Sequence, residues 1–154
     1  ALGLPAEVHV GIHEHGGMFH GHPRTDDVVS FPGLTRAEMT AHFPGYVLPD
    51  GVTDQGWYSG GYETIDACDV RALDGADELK AWAAEADGDT IAMVSHGTFV
   101  DRLLKALLDT PGNNSFYFYH YNTAISRVDF LDDDRRVLRY TNRTLHLEPE
   151  VVTR

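Results

Sequence analysis

The chain has 154 residues, 42% hydrophobic and 23% charged, enough for one globular domain with a sizeable core. Twelve basic against 24 acidic side chains give a formal net charge of −12, so the surface repels phosphate backbones and argues against nucleic acid as a partner. Cys68 is the one cysteine, no apolar run reaches the roughly 18 residues that span a bilayer, and the first residues are not signal-like, which together lead us to expect a cytoplasmic protein without a membrane span.

Along the chain, Val8, Val10 and Ile12 alternate with His9, Gly11 and His13, which predicts a short strand from Glu7 to Glu14. From His15 to Gly61 the composition turns to Gly, Pro, His and aromatics with little periodicity, and a loop of that length is usually functional or mobile. Within it, Thr35 and Glu38 form a capping box for one short helix that Phe43-Pro44-Gly45 ends. Ile65, Cys68, Ala72, Ala76, Leu79 and Ala83 then recur at steps of three and four, widened by Leu73 and Trp82. They predict an amphipathic helix closed by Asp87-Gly88.

Thr90 to Ser95 is a nearly continuous apolar run, the pattern of a strand buried on both faces. His96-Gly97 leads into a second helix with Phe99, Val100, Leu103, Leu104, Leu107 and Leu108 on its core face, and Pro111-Gly112 stops it. Strands are predicted near Thr123–Phe130 and Val137–Thr141, joined by the acidic turn Asp132-Asp133-Asp134. This order predicts an α/β fold over residues 1–154: a mostly parallel open sheet, flanking helices and an antiparallel C-terminal strand pair. Ligands gather at the carboxyl ends of strands in such sheets, and Glu14 and His96 both fall at predicted ends.

In Ser95-His96-Gly97-Thr98 a strand delivers a histidine to the start of a helix, where the amides of Gly97 and Thr98 can meet an oxyanion or phosphate. An imidazolium beside them would add a charge-assisted hydrogen bond, although a capping or core histidine has the same sequence pattern. Glu14 could protonate a leaving oxygen if burial raised its pKa, and an exposed loop carboxylate is the commoner case. His9, His13, His15, His20 and His22 raise a metal reading. No HExxH or CxxC accompanies them, so no metal and no cofactor are expected. The GxSxG elbow of an α/β-hydrolase is also absent.

Taken together these segments resemble the histidine phosphatase superfamily, the phosphoglycerate-mutase-like proteins. Ala1-Leu2-Gly3-Leu4-Pro5 looks like the end of the helix before the family's acid-bearing strand. Ile12-His13-Glu14-His15 resembles the site of its proton-donor glutamate. Thr90 to Leu104 is similar to its second-histidine motif, and Asn122-Thr123-Ala124-Ile125 with Asn142 to Leu147 resembles its closing strands and tail. The family's opening Arg-His-Gly strand, whose histidine becomes phosphorylated, has no counterpart in these residues: the His-Gly pairs are His15-Gly16, His20-Gly21 and His96-Gly97. The resemblance therefore implies an N-terminally incomplete domain, whose sheet an N-terminal fragment or a second copy would complete.

For the whole domain the resemblance implies phosphoryl transfer through a phosphohistidine, on a phosphorylated small molecule and without a metal. His96, Gly97 and Thr98 would hold the phosphoryl oxygens and Glu14 would protonate the leaving group. The loop 15–61 would form a lid. Arg24 and Arg36, its only cations, are candidates for a second anionic group or for solvated surface positions. Trp57 and Tyr58 could line an apolar substrate wall or pin the loop, and Asn122 is a further substrate-binding candidate. A non-catalytic remnant that binds a phospho-ligand or a protein is the competing reading. Arg71, inside the long helix, is expected to make a structural ion pair.

Overall fold

Small elements and long connections dominate the computed structural model, which describes residues 3–25, 27–86 and 88–153. The chain forms two compact units, Ala1–Ala67 and Cys68–Arg154. Ala1 and Leu2 of the expected helix end, and Asp87 of the expected helix stop, lie outside the described residues.

In the first unit, β1 (Ala6–Glu7) pairs in parallel with β4 (Tyr46–Val47), and β2 (Phe19–His20) pairs antiparallel with β3 (Val29–Ser30). Between β3 and β4 along the chain lies α1 (Arg36–His42), which carries the capping box read from the sequence. The Thr35 side chain accepts from the Glu38 amide, and the Glu38 side chain accepts from the Thr35 amide. The strand expected over Glu7 to Glu14 is much shorter. After Val8 donates to the Val47 carbonyl, the chain enters a 3₁₀ turn, Val10–Ile12. Two histidines divert it: His9 Nδ1 accepts from the Gly11 amide at 3.1 Å, and His13 Nδ1 lies 2.8 Å from the Val10 carbonyl. Local side-chain bonds of this kind offer the backbone an alternative to a strand ladder.

Long helices build the second unit. α2 (Ile65–Glu85), whose first three residues belong to the first unit, buries Cys68, Ala72 and Ala76, the stripe that its period of three and four marks out. α3 (Gly97–Leu107) buries Phe99, Leu103, Leu104 and Leu107. Small residues on α2 let the two helices approach. A Cβ at Gly75 would stand 3.7 Å from Leu103 and 3.8 Å from Phe99. β5 (Ile125–Phe130) and β6 (Arg136–Arg143) make the expected antiparallel pair, joined by the acidic turn.

The mostly parallel open sheet does not form among the described residues, whose strands make three separate pairs, one of them parallel. Thr90 to Ser95 is the main correction. It runs with no strand pairing, and Ile91, Met93 and Val94 are exposed, Val94 to 90%. A strand needs a neighbour to satisfy its amides and carbonyls, and no described strand lies beside this one.

Candidate functional site

His96 is the residue before α3, in extended conformation (φ −120°, ψ 159°), and its side chain makes no capping hydrogen bond to the helix. Gly97 therefore opens the helix and Thr98 follows it in the first turn, as the sequence implied. The His96 side chain is exposed. The helix start lacks acidic residues in its first turn, which leaves its positive end without a fixed counter-charge on the helix itself.

Glu14 follows the 3₁₀ turn rather than a strand. Its Oε1 accepts from the His15 amide at 2.7 Å, and its carbonyl accepts from Gly17. Gly17 has φ +70°, and a Cβ there would fall on the Tyr58 ring, so only glycine fits this turn. Segment 57–63 lies across it. The Glu63 amide donates to the Gly16 carbonyl, and the Tyr58 hydroxyl donates to Gly61. The His13 ring packs 5.6 Å from Trp57 and 5.3 Å from Tyr58, centroid to centroid. Phe19 and Tyr62 meet edge to face at 5.0 Å, with His15 against the same tyrosine. Trp57 and Tyr58 thus pack against His13, and Tyr58 also against the Gly17 turn.

Glu14 belongs to the first compact unit, with the aromatic seam; His96, Gly97 and Thr98 belong to the second. The remaining candidates have plain environments. Arg36 donates through Nε to the Val52 carbonyl at 2.7 Å and through Nη2 to Pro49, so its guanidinium staples the loop around α1. Arg24 is exposed. The Asn122 side chain donates to Thr153 Oγ1 at 2.9 Å and its amide to the Thr153 carbonyl, which ties the tail to the start of β5. Arg71 lies over the Phe99 ring, 4.4 Å from its centroid, so this helix cation is held partly by an aromatic face.

Sequence periodicity gave no sign of a buried charge cluster on α3. Asp101, Arg102 and Lys105 are all buried. Asp101 accepts from Lys105 Nζ and from the Phe118 amide, both at 2.8 Å, while Arg102 donates to Asn114 and faces Asp69 at 3.4 Å. Lys105 also sits 5.1 Å from the Phe116 ring centroid. These bonds clamp the loop after α3 onto the helix. The spacing of Asp101 and Lys105, four residues apart, was the one available signal, and it usually marks a solvated pair.

No group of three His, Cys, Asp or Glu is placed to hold a metal ion among the described residues, and no described helix is long and apolar enough to cross a membrane. A shallow cavity beside β5 and β6, lined by Ile125, Tyr140, Arg143, Leu145 and His146, contains none of the expected site residues.

Comparison with known proteins supplies the remaining finding. The family model for the histidine phosphatase superfamily (branch 1) matches residues 6–143, which takes in Glu14, the aromatic seam, the Ser-His-Gly segment and both C-terminal strands. Neither the curated proteins nor the solved structures contain a match. The chain belongs to the histidine phosphatase superfamily.

Proposed function

We propose that residues 1–154 form part of a domain that transfers the phosphoryl group of a phosphorylated small molecule, by phosphomonoester hydrolysis or by phosphoglycerate-mutase-type transfer. Family membership supports phosphoryl transfer in general. The observation that carries the finer reading is the start of α3, where an exposed, extended His96 precedes Gly97 and Thr98 at the positive end of the helix.

In this reading the amides of Gly97 and Thr98 and the imidazole of His96 stabilise charge on the phosphoryl oxygens. Glu14 protonates the leaving alkoxide and, in hydrolysis, deprotonates the attacking water. The nucleophilic histidine belongs to an Arg-His-Gly segment of the family's kind, which residues 1–154 do not contain. That segment would also pair with the exposed strip Ile91 to Val94 and so build the parallel sheet. Arg24 is the loop cation left for a second anionic group, because Arg36 is bonded to backbone carbonyls.

The exposed strip also favours a second reading, a non-catalytic domain that binds a phospho-ligand or a protein strand. Calorimetric titration with orthovanadate, a phosphoryl mimic, combined with hydrolysis of p-nitrophenyl phosphate and intact mass, separates the two. Binding that weakens at least about tenfold in His96→Ala supports the phosphate site, since one charge-assisted bond contributes roughly 1.5–3 kcal/mol. Equal binding by both proteins removes His96 from the site. Turnover lost in His96→Ala supports an enzyme, and binding without turnover supports the second reading.

A further inference from the structure

The seam between residues 13–19 and 57–63 contains a titratable pair that the phosphoryl-transfer reading does not use. His13 Nε2 faces Glu63 Oε1 at 3.9 Å, and their side chains are 15% and 10% exposed. The other ring nitrogen, Nδ1, lies 2.8 Å from the Val10 carbonyl; a carbonyl only accepts, so Nδ1 carries the proton in either state of the ring. The state of Nε2 is therefore what changes with pH. Neutral, it turns a lone pair toward a carboxylate. Protonated, it turns an N–H and a positive charge toward the same oxygen, beside the rings of Trp57 and Tyr58.

We propose that His13 and Glu63 are a pH-sensitive clasp, which holds segment 57–63 over the Glu14 turn when His13 is protonated and loosens it when His13 is neutral. Glu63 is positioned for this because its own amide donates to the Gly16 carbonyl and fixes its backbone against the turn. From segment 57–63 the groups facing His13 are Glu63, the Tyr58 phenol and the Trp57 indole; on its own segment the neighbouring ionisable residues are His9, Glu14 and His15. One proton on His13 turns its contact with Glu63 from a lone pair facing a carboxylate into an ion pair. The sign follows from linkage: a histidine that gains a carboxylate partner contributes stability below the imidazole range, about pH 6.5, and loses it as pH rises through that range. The clasp lies within the first unit and does not depend on the role assigned to Glu14.

Trp57 reports the state directly, because an imidazolium quenches a neighbouring indole more strongly than neutral imidazole does. In a Trp82→Phe background Trp57 is the sole tryptophan. Its emission is expected to fall on acidification from pH 8 to pH 5 with one midpoint. Glu63→Gln, which keeps shape and removes charge, is expected to lower that midpoint by about one pH unit. Hydrogen exchange at the Trp57 and Glu63 amides, corrected for intrinsic rate, is expected to be several-fold slower at pH 5.5 than at pH 7.5, and that difference disappears in Glu63→Gln. Should the variant fail to fold, a ring-proton NMR titration of His13 in the parent protein at low and high salt replaces it, with a midpoint that falls as salt screens the pair. Emission without a midpoint between pH 5 and 8, or a midpoint that neither Glu63→Gln nor salt moves, overturns the clasp.

Discussion

Asp101 has partners of different kinds in the core of the second unit: the Lys105 ammonium, the Arg102 guanidinium at 3.5 Å and the Phe118 amide. Both Asp101 and Lys105 are essentially inaccessible. Breaking such a pair costs more than the pair itself stabilises, because the survivor is left charged in a low dielectric. Asp101→Asn keeps an acceptor for Phe118 and strands the Lys105 charge; the expected loss is about 3–5 kcal/mol, read as a lower urea midpoint. The double change Asp101→Asn with Lys105→Met keeps that acceptor and removes the Lys105 charge as well; it is expected to recover much of that loss, which isolates the uncompensated charge as the cause. At the same scale lies the one-residue logic of Gly17, whose missing Cβ makes room for Tyr58 and so for the whole seam over Glu14.

At the scale of elements, the β5–β6 pair carries most of the exposed cations of the second unit, and its charges are matched across the strands. Asp129 on β5 accepts from Arg127 Nε and from Arg139 Nε on β6, each at 2.6 Å. Hydrogen bonds from Arg127 first, and then from Arg139, hold the Asp129 carboxyl below its ordinary 3.8. The consequence for pH is definite in sign: a depressed carboxylate contributes stability above its ordinary value, and that contribution is lost as pH falls through the depressed one. A carbon-detected NMR titration should show the Asp129 midpoint below 3.8. Arg127→Gln should move the midpoint upward, and Arg139→Gln should do so less; equal midpoints in all three proteins would contradict the pairing. The pair is exposed, so these variants should change the unfolding midpoint little in neutral solution.

For the whole molecule, the most consequential surface is the strip Ile91 to Val94, which offers exposed apolar side chains and a backbone with no strand partner among the described residues. Edges of this kind recruit other strands, and natural proteins commonly blunt them with a charge, often lysine. Val94, 90% exposed, is the position at which a charge can be added without disturbing packing. Val94→Lys is expected to leave the unfolding free energy within about 0.5 kcal/mol and to reduce concentration-dependent self-association in sedimentation velocity. Unchanged association would show that the strip is not the sticky surface. An Arg-His-Gly peptide strand that docked here would give the opposite behaviour, binding the parent chain and not Val94→Lys.

The sequence by itself determined the elements whose signals are local. The α2 stripe at Cys68, Ala72 and Ala76, the apolar face of α3, the Thr35–Glu38 capping box and the β5–β6 pair could all be read because the periods of 3.6 and 2 and the cap chemistry lie within a few residues. The order of Ile-His-Glu-His, Ser-His-Gly and the closing strands likewise placed the chain in its family. Only the tertiary structure decided the rest. That Asp101, Arg102 and Lys105 are buried depends on Asp69, Asn114 and Phe118 arriving from elsewhere in the chain, and a charge carries no mark of its future partners. That Glu14 follows a 3₁₀ turn depends on two histidine rings bonding to nearby backbone. An apolar run such as Thr90 to Ser95 states a capacity to pair, and whether it becomes a strand depends on a neighbour that its own residues cannot supply.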